Sequence, residues 1–436
     1  MKDKKYRILL LTNRDSDNVG DQVIEISDIA LIEAVMKNLH IEKTDYEICS
    51  RAASIISKKY VATKNEKLLE TAEKLIKECD MVIFGGAPVF NYRYQIFYER
   101  TAVTLELAEK YHKPVIFSGI GVEQYDEKNK KCQRLKKTLN FDCVKQITTR
   151  DGIDELEKYK ENENLMIGRV ADPAVFSAQV FRKHLEKKKE NQKKKIGIFV
   201  LRANGFVDNK VEFTREEAAN LWLEVIRELE EKGYDYTLLT SGHYGDEAFL
   251  DYLIKEYNVE EKKCVFNVNT PEFLLNKISG YDGVISCRLH PSIISFSLGI
   301  PSVGLIWNSK VKRFYEWIGY AERAIDVETT GAKEIVEKVE EAVTQGIHKD
   351  KEYLMTIYQT LFYGIKNSLN LSETGEQPYD YEMLINNIPL FEGTSEKEKE
   401  AKLKRKFRRI YGTFNERKEQ NNNFLNWIWK NKWRFK

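Results

Sequence analysis

The chain has 436 residues, 42% of them hydrophobic and 32% charged, with 70 Lys and Arg nearly balancing 68 Asp and Glu. At roughly 100–200 residues per domain, that length suits two or three domains, each with its own core. Only 8 Pro and 23 Gly, with no apolar run near the roughly 20 residues that span a bilayer, exclude collagen-like, low-complexity and membrane-spanning architectures.

Short β-rich runs alternate with helical patterns, as in parallel sheets covered by helices. The first run is Tyr6–Leu11, and its apolar part, Ile8 to Leu11, is too short for a signal-peptide core and passes at once into Thr12, Asn13 and Arg14, so a cytoplasmic protein is expected. Asn18-Val-Gly20-Asp21-Gln22 follows, where Gly20 permits a tight turn. A helix beginning near Asp21 would offer free N–H groups to an anion, and turn and cap duty is the plainer reading. Tyr46–Cys49 and Met81–Phe84 come next, the latter ending in Gly85-Gly86, which would let backbone approach a ligand closely. Val115–Ser118 ends in Gly119-Ile-Gly121, Gln146–Thr149 in Arg150-Asp151, and Leu165–Val170 in Asp172-Pro173, a turn or helix cap. Sequence-adjacent charges seldom pair, so Arg150 and Asp151 should each have a distant partner.

These six strands make a domain over 1–184, and the charged stretch 185–195 reads as a linker. A second domain, 196–330, holds Ile196–Leu201, Tyr236–Thr240, Cys264–Val268, Gly283–Cys287, Ser302–Trp307 and Arg323–Val327, with helices such as Thr214–Glu231 between them. The fold class is α/β, two Rossmann-like doubly wound domains with a C-terminal helical extension. In that extension, 331–392, Ala332–Gln345 and Lys351–Asn370 have helical periodicity and are expected to pack across the domains.

Ligands of such sheets bind beyond the carboxyl ends of the strands. The strongest candidate there is Gly283-Val-Ile-Ser-Cys-Arg-Leu-His-Pro-Ser292, a buried strand running into Arg288 and His290, then a helix with Pro291 at its first position and Gly299 as its stop. Arg288 can fork onto a carboxylate or phosphate, His290 can exchange a proton near neutral pH, and the helix N-terminus adds positive field. Gly299 to Lys310 forms another strand and delivers Lys310 to the same rim. Of His40, His112, His184, His243 and His348, only His243 follows a strand, and none has metal-ligand spacing. The six cysteines form no C-x-x-C pair, so no zinc site or disulfide framework is suggested.

In this order, Asn18-x-Gly20-Asp21, Gly85-Gly86, Gly119-x-Gly121, Arg150-Asp151, Asp172-Pro173, Arg288-Leu289-His290, Gly299-x-Pro301 and Lys310 resemble the polysaccharide pyruvyl transferase family, over roughly Arg7 to Tyr320. The resemblance implies a GT-B-like pair of domains around a cleft, and transfer of a pyruvyl group from phosphoenolpyruvate to sugar hydroxyls as a ketal. It implies catalytic roles for His290 and Arg288 and donor binding by Arg150, Lys310, Gly85, Gly86, Gly119 and Gly121. Asn18, Gly20, Asp21 and Asp172 are left to an acceptor or helix-cap role. Phosphoenolpyruvate would be a co-substrate, with no metal or other cofactor, and a glycan or lipid-linked saccharide the acceptor. Ala87, where many members continue the glycine run, and Pro291 depart from the pattern. A nucleotide-sugar glycosyltransferase and a catalytically silent scaffold of glycan assembly are the alternatives.

The tail, 393–436, differs from the rest. Lys402 to Lys436 carries twelve Lys and Arg against two Glu. Leu403, Phe407, Ile410 and Tyr411 fall at helical spacing among the basic residues, and Phe424 to Phe435 alternates three Trp with Lys and Arg. This pattern suits an anionic membrane surface, here the inner face of the plasma membrane, better than nucleic acid, which is not expected as a partner. Packing on the domains or on a second subunit of a homo-oligomer is the plainer reading.

Overall fold

The structure, a computed structural model, describes residues 4–93, 96–186, 193–202 and 213–412. Strands β1 (Tyr6–Thr12), β2 (Tyr46–Ala52), β3 (Met81–Gly85), β4 (Val115–Ile120), β5 (Val144–Thr149) and β6 (Met166–Arg169) form a parallel sheet in the order β2-β1-β3-β4-β5-β6. Strands β7 (Lys195–Phe199), β8 (Asp235–Leu239), β9 (Cys264–Val265), β10 (Gly283–Ser286), β11 (Ser302–Ile306) and β12 (Ala324–Asp326) form a second, in the order β12-β11-β10-β7-β8-β9. The central strands are apolar without alternation because helices cover both faces: Ile8 to Leu11 and Met81 to Phe84 are buried throughout.

All twelve expected strands are present, with shifted ends. β9 stops after two residues, and Asn267, at φ 61°, turns the chain away soon after. β7 begins at Lys195, inside the stretch read as a linker, because Lys195 pairs with Asp235 of β8. Residues 187–192 of that stretch lie outside the described residues. The first sheet reverses its strand order between β1 and β3, the second between β7 and β10. Ligand crevices open at such reversals, beyond the strand ends. Asn13 to Asn18 after β1, Gly86 after β3, and Cys287 and Arg288 after β10 occupy those positions.

The two domains share a core. Val19, Val23 and Ile24 of the helix Val19–Asn38 belong to one apolar cluster with Leu274, Leu275 and Ile278 of the helix Pro271–Ser279 and Ile293, Ile294 and Phe296 of the helix Leu289–Leu298. Backbone bonds it as well, since Val19 N donates to Ser241 O at 2.7 Å. The C-terminal helices divide between the domains. Ala332–Gln345 lies on β10 and β11, whereas Lys351–Ser368 returns to β4, β5 and the first long helix, where Asn38 donates to the Tyr358 hydroxyl at 3.0 Å.

Residues 396–412 are helical, opened by a reciprocal cap between Ser395 and Glu398. This helix spans both domains with its basic side inward. Arg405 lies 3.6 Å from Asp15 and Arg409 2.9 Å from Asp17 on the first, and Lys406 lies 2.7 Å from Glu247 on the second. Acidic residues of the β1 loop and of the second domain thus take up charge that the sequence left free for lipid. The apolar stripe of Leu403, Phe407, Ile410 and Tyr411 faces solvent, Phe407 at 67% exposure. The Trp-rich segment lies outside the described residues. Among the described residues, no helix is long and apolar enough to cross a membrane.

Candidate active site

His290 is the centre of the site. It is the second residue of the helix Leu289–Leu298, which starts two residues earlier than expected, so Pro291 sits at its third position, where an N–H is still unneeded. Arg288 is the N-cap and makes no side-chain capping bond, leaving first-turn N–H groups without a side-chain acceptor. Gly299 ends the helix at φ 73°. The imidazole enters the first domain through the N-terminus of the helix Val19–Asn38, capped by Asn18. Asn18 Oδ1 accepts from Gly20 N at 3.2 Å, so its amide nitrogen is the group that faces His290 Nδ1 at 3.0 Å. An amide can only donate there, so a neutral ring carries its proton on Nε2. That nitrogen points at Asp21 Oδ1, 3.9 Å away. A Cβ at Gly20 would overlap the imidazole, so this glycine makes room for His290.

Electrostatics set the two partners against each other. Burial, helped by Arg150, Arg288 and Lys310, holds the His290 pKa well below 6.5. Burial pushes the Asp21 carboxyl up to about 6, against the pull of Ser16, Arg150 and Asn13, whose Nδ2 donates to Asp21 at 3.0 Å. Adjacent acid and base with displaced pKa values are the raw material of proton transfer.

Three cations add positive field at the histidine. Arg150 pairs with Asp172, whose other oxygen caps Ala174 N at 2.8 Å. Asp151 accepts from Val122 N at 2.9 Å and lies 3.8 Å from Lys310. Each member of the Arg150-Asp151 pair thus has a distant partner. Arg150 Nε is buried with no hydrogen-bond partner, beside a narrow cavity lined by Lys310, Leu289, Trp317 and Tyr353. Arg288 directs Nε and Nη2 onto one oxygen of Asp246, at 2.9 and 2.6 Å, with its guanidinium carbon 5.7 Å from the centre of the Trp307 ring.

The glycines divide. Gly121 lies against Asp151 and the Lys310 ammonium, where a Cβ would sit 3.3 Å from each. Gly119, at φ 58°, packs on Pro173 and Ile357. Gly85 and Gly86 have a packing reason instead: their missing side chains leave room for Asp28 and Ile24 of the first helix. Asp28 is fully buried with an unpartnered oxygen, and burial drives its pKa well above 3.8.

Sequence reasoning missed Asp246, the anchor of Arg288, and Asn13, which holds Asp21. Asp246 carried a signal, an acid in the first turn of a helix opened by His243. His243 caps that helix, accepting from Gly245 N at 3.1 Å beside Arg202 Nη1 at 3.0 Å, and burial pushes its pKa down to about 4. Among the described residues, no three His, Cys, Asp or Glu come together as metal ligands would.

Residues 18–309 match the sequence model of a family described as polysaccharide pyruvyl transferase. The chain belongs to the polysaccharide pyruvyl transferase family. The match runs from the Asn18 cap to the residue before Lys310, so it takes in both halves of the site. No curated protein is similar in sequence. Among solved structures, one titled as a UDP-N-acetylglucosamine 2-epimerase from Listeria monocytogenes superposes with a TM-score of 0.54 at 10% identity, covering 86% of this chain and 99% of that one. UDP-GlcNAc 2-epimerase from Methanocaldococcus jannaschii gives 0.49 at 14% identity, covering 85% and 99%. The Listeria likeness shows the fold, and this pyruvyl transferase family member is GT-B-like in architecture.

Proposed function

We propose that the protein transfers a pyruvyl group from phosphoenolpyruvate to two hydroxyls of one saccharide, forming a ketal and releasing phosphate. The carrying observation is His290 at a helix N-terminus, 3.0 Å from Asn18 and 3.9 Å from Asp21 of the other domain, within the positive field of Arg150, Arg288 and Lys310, in a pyruvyl transferase family member. A donor with a carboxylate and a phosphate matches cations that are shared with Asp172, Asp246 and Asp151, and Arg150 Nε is still without a hydrogen-bond partner. The donor's negative charge offsets the share of the depression that Arg150, Arg288 and Lys310 add to burial, and His290 takes a second proton on Nδ1 as the Asn18 amide turns its oxygen toward that nitrogen. His290 Nε2 delivers a proton to the methylene carbon, which becomes the methyl group. A saccharide oxygen bonds to the adjacent carbon while its proton passes to Asp21. A second hydroxyl then bonds to that carbon as the C–O bond to phosphate breaks, its proton leaving with the phosphate.

The test is phosphate release from phosphoenolpyruvate with a panel of saccharides, the product identified by mass. His290→Gln should lower turnover by roughly 10²–10⁴ while the fold is retained. Near wild-type release by the folded variant would remove His290 from the chemistry. Nucleoside diphosphate release from a sugar nucleotide would instead favour a glycosyltransferase.

We propose further that the exposed stripe of the 396–412 helix seats on an anionic bilayer. Lys404 and Arg408 flank the stripe, and the Trp- and Lys-rich segment continues from it.

A further inference from the structure

A second cleft, of about 670 Å³, opens at the carboxyl ends of β1 and β2. We propose that this cleft, walled by Asn13, Ser54, Lys58, Arg100 and Arg409, binds the phosphate group of a phosphorylated saccharide acceptor. This rests on the reading of the acceptor as a saccharide.

The charge balance inside the cleft is one-sided. Lys58 and Arg100 have no carboxylate in ion-pair range among the described residues, and Arg100 Nε is buried with no hydrogen-bond partner. Burial lowers the pKa of that guanidinium, and no neighbouring charge opposes the shift. A half-buried, unpaired cation is costly, and an anion arriving from solution offsets that cost. Among the described residues of the lining the one carboxylate, Asp15, is already engaged by Arg405 at 3.6 Å. Arg409 belongs to the 396–412 helix, so the tail completes the wall.

Geometry joins the cleft to the reaction centre. Asn13 lines it and donates to Asp21, the carboxyl 3.9 Å from His290. A saccharide held by its phosphate on Arg100 and Lys58 extends its hydroxyls past Asn13 toward that pair. Ala53, Val61 and Phe97 supply the apolar wall that a sugar ring needs. The volume suits one or two sugar units. The phosphoryl group could come from a nucleotide sugar or from a lipid diphosphate-linked sugar, and both offer the same chemistry to Arg100.

Calorimetric titration of the full chain tests this, with UDP-N-acetylglucosamine, a short-chain prenyl diphosphate-linked N-acetylglucosamine and an uncharged methyl glycoside as probes. The tighter of the two phosphorylated probes names the source. Arg100→Gln and, on an exposed residue that should not disturb folding, Lys58→Glu are each expected to weaken it by about tenfold to a hundredfold, with the methyl glycoside unaffected. Equal binding by wild type and Lys58→Glu, or no binding of either phosphorylated probe, overturns the cleft. Phosphoenolpyruvate titrated in parallel should bind both variants as it binds wild type. Its failure to bind wild type would sink the proposed reaction, while the phosphorylated probes would still judge the cleft.

Discussion

Asp21 and His290 carry opposite pH signatures. The Asp21 pKa is raised from 3.8 to about 6, mainly by burial, so its contribution to stability is complete below about pH 4 and is lost as pH rises through about 6. At neutral pH the native state bears an ionised carboxylate at a cost on the order of 2–3 kcal/mol. Asp21→Asn should therefore raise the melting temperature at pH 7.5 and change it little at pH 4, while lowering turnover. Equal shifts at both pH values would show that the carboxylate is not burdened. For His290 the sign reverses. Its lowered pKa gives stability that is present above 6.5 and lost as pH falls toward the folded value, so His290→Gln should flatten the acid limb of the stability curve.

At the scale of elements, two glycines separate packing from chemistry. Gly299 ends the His290 helix at φ 73° with open space around its Cβ position, so Gly299→Ala should cost roughly 1–2 kcal/mol of backbone strain and leave turnover nearly intact. Gly20→Ala places a methyl group in the His290 ring, which must leave its bond to Asn18, so turnover should fall far more than stability. Thermal melts and phosphate-release rates on the two variants check the contrast, and similar rate losses would contradict it. The same elements show what the sequence could disclose. All twelve strands were legible because apolar runs of that length, set between helical periods, can hardly be anything else. His290 and Arg288 were legible because a buried strand ran straight into them. Asp246 was not, since it holds Arg288 across 42 positions, and Asn13 was not, since it reaches Asp21, eight positions on, only through the fold of the loop between them. Gly85 and Gly86 were read toward a ligand because pattern alone does not reveal that Asp28 and Ile24 fill the space beside them.

Across the whole molecule, the basic helix ties the tail to both domains and turns its apolar stripe outward. Flotation with anionic vesicles should recover the full chain and not a chain ending near Glu392, with binding that weakens as salt rises. Equal recovery of the two would remove the membrane from the account. The shared interdomain core keeps Asn18 and Asp21 of one domain on His290 of the other, so the proposed reaction centre exists only where the domains meet. The most direct test of that centre is a crystal of the full chain soaked with phosphoenolpyruvate. The expected result is the carboxylate and phosphate within hydrogen-bond distance of Arg150, Arg288 and Lys310, with the methylene carbon facing His290. Phosphoenolpyruvate bound away from His290, or excluded while a nucleotide sugar occupies the same cations, would contradict it.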